Sequence, residues 1–212
     1  MKVYDCEQRS EEWFELRKGV FTASDMGAWV LAEKRNKTQE KAAFSAICKK
    51  LAEMSGCEME PVFQNWAMKW GTEHEDEARD FYTEETGNEV EEVGFCIHDN
   101  GGFGCSPDGF IHERKGMLEI KCPLPQTQVK RLLQGGFPDE HFIQCHMQMA
   151  VTGCKYVDFY SYCPSLPSFS ARLDWDDTTY KMLAGLNRLS KELKEHQTHI
   201  FKLWDEMKNK TK

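Results

Sequence analysis

The sequence has no run of about 18 consecutive apolar residues, the length a helix needs to cross a bilayer, so no membrane-spanning segment is expected. Its first residues, MKVYDCEQRSEEW, lack a basic segment followed by an apolar core, so export is not expected and a cytoplasmic location is. No C-x-x-C pair occurs among the nine cysteines, and nine is odd. That argues against zinc, a dithiol redox pair or a disulfide framework, and for reduced, mostly buried thiols. Nor is there an excess of basic charge: 27 Lys and Arg stand against 35 Asp and Glu, a formal net charge of −8. Such a molecule repels a polyanion unless its cations gather on one face. No internal repeat, low-complexity tract or linker interrupts the chain, whose 212 residues suit a single domain over 1–212.

What is present is the material of a packed core: apolar residues make up 40% of the chain and aromatics 12%. Ser10 caps EEWFELRKG, a short helix with an acidic first turn that ends at Gly19. Ser24 offers a second cap, in TASDMGAWVL. After the polar loop EKRNK, a longer helix begins at Thr38; its Ala42, Ala43, Ile47, Leu51 and Met54 keep helical spacing and Gly56 stops it. From Asn65 to Thr86 the chain again reads as helix, with Gly87 just beyond its end and Gly71 as a point where it breaks in two. QTQVKRLL and EHFIQCHMQMAV are further helical patterns. From Asp176 onward, over residues 176–208, one long amphipathic helix aligns Leu183, Leu186, Leu193, Ile200, Trp204 and Met207. Five strands are predicted between these, in EVGFCIH, FGCSPDGFI, GMLEIKC, KYVDFYSYC and FSARLDW, from their aromatic and β-branched residues and flanking Gly, Asn and Pro. The expected fold is α/β, a central mixed β-sheet flanked by α-helices.

Chemistry concentrates in GCSPDGFIHERKGMLEIKCP. In an extended strand alternate side chains share a face, so Leu118 and Ile120 point to the core while Glu119 and Lys121 project together from the other side. With FGCSPDGFI as the neighbouring strand, turning back through HERKG, Asp108 comes beside that spot on a bend at Pro107 and Gly109. Two carboxylates and a backbone carbonyl make a hard oxygen site suited to Mg²⁺ or Mn²⁺, and a lysine next to them orients or deprotonates an attacking water. Pro107-Asp108 followed eleven positions later by Glu119-Ile120-Lys121 is the PD-(D/E)xK arrangement of metal-dependent nucleases.

The surrounding segments make the match specific. EEWFELRKGVFTASD is similar to a W-x-x-x-R-x-G-x-x-TAS block, WGTEHEDEAR to a W-G-x-x-x-E-x-x-AR helix, CSPDG and LEIKCP to the central hairpin, and HFIQCHMQMAVTG to the helix that follows. Together, over about residues 8–165, they resemble the lambda exonuclease family of phage recombination nucleases, the YqaJ-like viral recombinases.

The resemblance implies that Asp108, Glu119 and the Ile120 carbonyl hold one metal ion and that Glu75 helps hold a second. It implies Mg²⁺ as cofactor, with Mn²⁺ able to substitute and two ions per active site. Lys121 then positions the attacking water, and Arg17 and Ser24 bind the 5′ phosphate of the strand being degraded; Ser106 is a further candidate for reaching a phosphate. A guanidinium fork with a hydroxyl is physically apt for a phosphate. The family usually carries Q-x-Q after the hairpin, its second glutamine in the active site; here the run is Gln144-Cys145-His146, which puts His146 in that position beside Gln144. Lys34, Arg35, Lys37, Lys130 and Arg131 are candidates for a positive DNA path. The implied activity is a Mg²⁺-dependent 5′-to-3′ exonuclease of the alkaline exonuclease type on double-stranded DNA ends, working in the cytoplasm of a bacterial host as a homotrimer ring beside a single-strand annealing protein. The readings left open are a structure-selective or restriction-type endonuclease, an inactive DNA-binding module and an iron–sulfur nuclease; the last needs clustered cysteines that the spacing does not supply.

Overall fold

The computed structural model describes residues 1–56 and 65–210, with side chains to Met207. Among these residues the chain forms β1 (Lys2–Tyr4), α1 (Glu11–Arg17), β2 (Phe21–Thr22), α2 (Lys37–Met54), α3 (Trp66–Glu73), α4 (Glu75–Thr86), β3 (Phe95–Ile97), β4 (Phe103–Cys105), β5 (Gly109–Ile111), β6 (Gly116–Lys121), α5 (Pro125–Gln134), α6 (Asp139–Thr152), β7 (Tyr156–Ser161), β8 (Phe169–Asp174) and α7 (Asp177–Lys210). Two tight 3-10 turns, Ala23–Asp25 and Ala28–Leu31, stand where TASDMGAWVL predicted a helix capped by Ser24.

The fold is α/β with mixed sheets and flanking helices, as expected. Its strands divide, however, between two four-stranded sheets, ordered β1-β3-β4-β2 and β5-β6-β7-β8, rather than one. FGCSPDGFI is the reason. It serves as two strands: β4 pairs with β3 and β2 in the first sheet, and β5 pairs with β6 in the second. The chain crosses at Ser106-Pro107-Asp108, where Pro107 has no N–H to offer a ladder. The β5–β6 hairpin turns through HERKG, as expected, and β6 then runs parallel to β7 with α5 and α6 as the crossover.

Local signals explain most boundaries. Ser10 Oγ accepts from Trp13 N at 3.3 Å to open α1, and Asn36 with Gln39 forms a full capping box at α2. Gly87, at φ 72°, ends α4 in the left-handed conformation that glycine takes without strain. The break between α3 and α4 falls at His74 rather than Gly71: His74 leaves helical geometry at φ −110° and ψ 4°, its ring 4.3 Å from Trp70 and its carbonyl accepting from Cys122 Sγ.

β6 is sealed on both faces, as a strand with a parallel partner should be. Leu118 and Ile120 pack on one side with Ala78 and Tyr82 of α4 and Tyr160 of β7. Met117 faces the other, larger core, shared with Met147, Met149 and Val151 of α6 and with Met182, Leu186 and Leu189 of α7. Burying each such side chain contributes about 1.5–3 kcal/mol. Of the predicted stripe of α7, Leu186 and Leu193 are buried and Leu183 partly so, whereas Trp204 and Met207 are exposed. Arg35 fastens α7: its side chain is 6% exposed, and its Nη1 meets both oxygens of Glu192 at 3.1 and 2.8 Å. It is therefore a structural tie, not part of an open DNA path.

Candidate active site

The crossing between the sheets delivers Asp108 to the edge of β6. Its backbone N donates to Leu118 O at 3.2 Å, and its Oδ2 accepts from Ile120 N at 2.6 Å. Alternation along β6 then sets Glu119 and Lys121 on one face, as the period of two requires, but that face is no surface: α6 covers it and leaves Glu119 1% exposed. The Lys121 ammonium bridges Glu119 Oε1 and, at 3.1 Å, the Ile120 carbonyl. Gln144 Nε2 donates to Glu119 Oε1 and Gln148 Nε2 to Glu119 Oε2, each at 2.6 Å.

Spacing explains the glutamines. Residues four apart on a helix share a face, so Gln144 and Gln148 reach the same carboxylate, while His146, two positions on, turns to the opposite side. The structure does not bring His146 to the cluster. Its Nδ1 lies 2.7 Å from Thr179 Oγ1 of α7, its ring packs 4.3 Å from Phe142, and burial lowers its pKa. Gln148, which the sequence did not single out, takes the place expected of it.

Glu75, the first residue of α4, stands at the rim with its Oε2 3.0 Å from Arg9 Nη2. It shares a cleft of about 390 Å³ with Ile120 and Lys121, and a second of about 550 Å³ with Asp108. Burial, then the charges of Glu119 and Glu75, push the Asp108 carboxyl well above the usual carboxylate range. Burial opposes the charge on Lys121, but the Glu119 and Asp108 carboxylates outweigh it and hold the ammonium protonated above its ordinary range. Glu119 and Glu75 are thus both near enough to Asp108 to disfavour a second and third negative charge beside it. Among the described residues no three His, Cys, Asp or Glu side chains form a metal cage by themselves. The Ile120 carbonyl completes an all-oxygen set, and the Lys121 ammonium already bridges two of its members as a cation would. Those donors fit a hard divalent ion.

A second cluster gathers the residues expected at a DNA end. Trp13 and Arg17, four apart on α1, stack with the guanidinium carbon 3.9 Å from the indole centroid. Arg17 Nη2 donates to Thr22 Oγ1 at 3.4 Å, and Thr22 Oγ1 lies 3.4 Å from Ser24 Oγ. Trp13 Nε1 donates to Ser106 Oγ at 2.8 Å. Arg17, Ser24 and Ser106 therefore converge, joined by Trp13 and Thr22, two residues that the W-x-x-x-R and TAS spacing carried but whose role only the contacts reveal. Thr22 also donates to Asp25, which the buried Lys50 neutralises at 3.0 Å. Of the remaining path candidates, Lys34, Lys37 and Lys130 are exposed, whereas Arg131 is 8% exposed and bonded to Ser161 and His141.

The YqaJ-like viral recombinase domain matches residues 12–155, more than half of the chain. The alkaline exonuclease LHK-Exo from Laribacter hongkongensis is 31% identical over 93% of this chain and 100% of its own, with a TM-score of 0.76. The same enzyme in complex with dAMP gives 34% identity over 92% and 100% of the two chains, with a TM-score of 0.70. A phage-related exonuclease from Haemophilus somnus, at 13% identity over 91% of this chain and 97% of its own, shares the fold, with a TM-score of 0.51. No curated protein sequence matches significantly. No helix among the described residues is long and apolar enough to cross a membrane. The extent of the domain match and the ordered site residues agree: the chain belongs to the YqaJ-like viral recombinase domain family.

Proposed function

We propose that residues 1–212 act as one nuclease domain, a Mg²⁺-dependent exonuclease that degrades one strand of double-stranded DNA from its 5′ end and leaves a 3′ single strand for recombination. The observation that carries this reading is the closeness of the two clusters. Ser106, at the Arg17–Trp13 pocket, and Asp108, at the Glu119–Lys121 site, are separated only by Pro107. An end phosphate held by Arg17, Ser24 and Ser106 sets a neighbouring phosphodiester against the carboxylates.

Asp108, Glu119 and the Ile120 carbonyl would hold one Mg²⁺ and Glu75 would help hold a second, with Mn²⁺ able to substitute. The chemistry supplied by ions held there would be charge neutralisation at the scissile phosphate. Gln144 and Gln148 keep Glu119 in one orientation. Lys121, charged and held at the mouth of the site, orients the attacking water through its ammonium protons. A relative solved with dAMP, a mononucleotide, supports release of single nucleotides. A homotrimer ring around duplex DNA and a single-strand annealing protein as partner complete the reading.

The test is digestion of linear duplexes bearing a 5′ phosphate or a 5′ hydroxyl, with and without Mg²⁺. Mg²⁺-dependent release of nucleotides, faster from the phosphorylated end, is the expected result. Cleavage that ignores the end, on linear and closed DNA alike, would point to an endonuclease.

A further inference from the structure

The loop before α1 carries a cation that the chemistry above leaves unused. Arg9 adopts φ 72°, a left-handed conformation that residues other than glycine seldom occupy. Beside it, Gln8 Nε2 donates to Val93 O at 2.9 Å and to Pro107 O at 3.1 Å, which pins this loop to the crossing that leads into Asp108. The result is a guanidinium aimed at Glu75, 3.0 Å from its Oε2, with the Arg9 side chain 46% exposed and that of Glu75 21% exposed. Arg9 and Glu75 are shared by the two clefts, so both reach the Lys121 side and the Asp108 side of the site. The other arginine in the second cleft, Arg79, is held by Asp76 at 2.9 Å and Glu92 at 3.4 Å and cannot substitute.

A carboxylate oxygen engaged by a guanidinium and one turned toward a divalent ion compete for the same lone pairs. We infer that Arg9 is a metal-released DNA contact: without a divalent ion it neutralises Glu75, and once Glu75 turns to an ion, Arg9 is free to pair with a backbone phosphate of the strand in the cleft. This rests on the nuclease reading and adds to it a coupling between loading and substrate binding. By linkage, DNA that draws Arg9 away from Glu75 raises metal affinity, as metal raises affinity for DNA.

The test compares wild type with Arg9→Gly, which accepts the φ without strain, Arg9→Gln and Arg9→Lys. Mn²⁺ binding to the DNA-free protein is followed by electron paramagnetic resonance. Binding of a fluorescent duplex with a 5′ phosphate is followed by anisotropy, with Ca²⁺ in place of Mg²⁺. The Gly and Gln variants should bind Mn²⁺ about fivefold more tightly, the size of a partly exposed ion pair, and the duplex about tenfold more weakly. Arg9→Lys should keep most of the duplex affinity. A merely structural role would weaken both together, so opposite signs are required and any other combination overturns the inference. If wild type binds no Mn²⁺ and releases no nucleotides, the nuclease reading itself falls; if wild type does both and the variants match it, only the role of Arg9 does.

Discussion

Glu119 shows how much a single buried carboxylate asks of its neighbours. Gln144, Gln148 and Lys121 all donate to it, and each loss should be felt differently. Gln148→Leu removes the partner of Oε2 and is expected to cost about 1–3 kcal/mol of stability in denaturant melts. Lys121→Ala should lose about 100-fold or more of nuclease rate while leaving duplex binding largely in place, because the role proposed for it is to orient water rather than to bind DNA. Asp25 sits apart from this chemistry. Burial raises its pKa, yet Lys50 and the Thr22 hydroxyl draw it further the other way, to below its ordinary 3.8. A depressed carboxylate adds stability that is present above its unfolded pKa and lost as pH falls through the folded one. Asp25→Asn should therefore cost about 1–3 kcal/mol at neutral pH and flatten the acid limb of the stability profile, which melts from neutral pH downward would show. Glu119 and Lys121 were legible because a strand has a period of two. Gln148 was not: every residue from Cys145 to Val151 is buried, so hydrophobic spacing names no face, and only packing against β6 and α7 tells Gln148 from His146.

Elements with their own punctuation were legible for the same kind of local reason. Ser10 for α1 and Gly87 for α4 carry the boundary in the residue itself. The split of FGCSPDGFI was hidden, since both halves read as strand and nothing local says that they pair with different neighbours. β1 and β2, three and two residues long, are too short to show a period at all. The long α7 read clearly as a helix, but not where it touches the rest. Gly185 marks that contact: a Cβ there would lie 2.0 Å from Val30 O, the carbonyl of a 3-10 turn. Helix propensity alone favours alanine by about 0.5–1 kcal/mol. Gly185→Ala is nonetheless expected to destabilise by about 1–3 kcal/mol, because rigid backbone must move, and a lower melting temperature would register it.

For the molecule as a whole, a net charge of −8 looks hostile to DNA, yet the first cleft gathers Arg9, Lys121 and Arg131 against the single carboxylate of Glu75. Sign is organised locally, which total composition cannot express. Covalently closed duplex should resist digestion until it is linearised, and a chelator should abolish activity that added Mg²⁺ restores; gel analysis reads both. The passage from one sheet to the other also has a metric consequence. Two residues of extended chain reach at most about 7 Å, so on the roles proposed above a group gripping a strand terminus at Ser106 and one aligning the bond to be cut at Asp108 would form the jaws of a fixed gauge. The unit of digestion would then follow from backbone length. Inserting two glycines beside Pro107 should lengthen the fragments set free while leaving every reacting side chain intact.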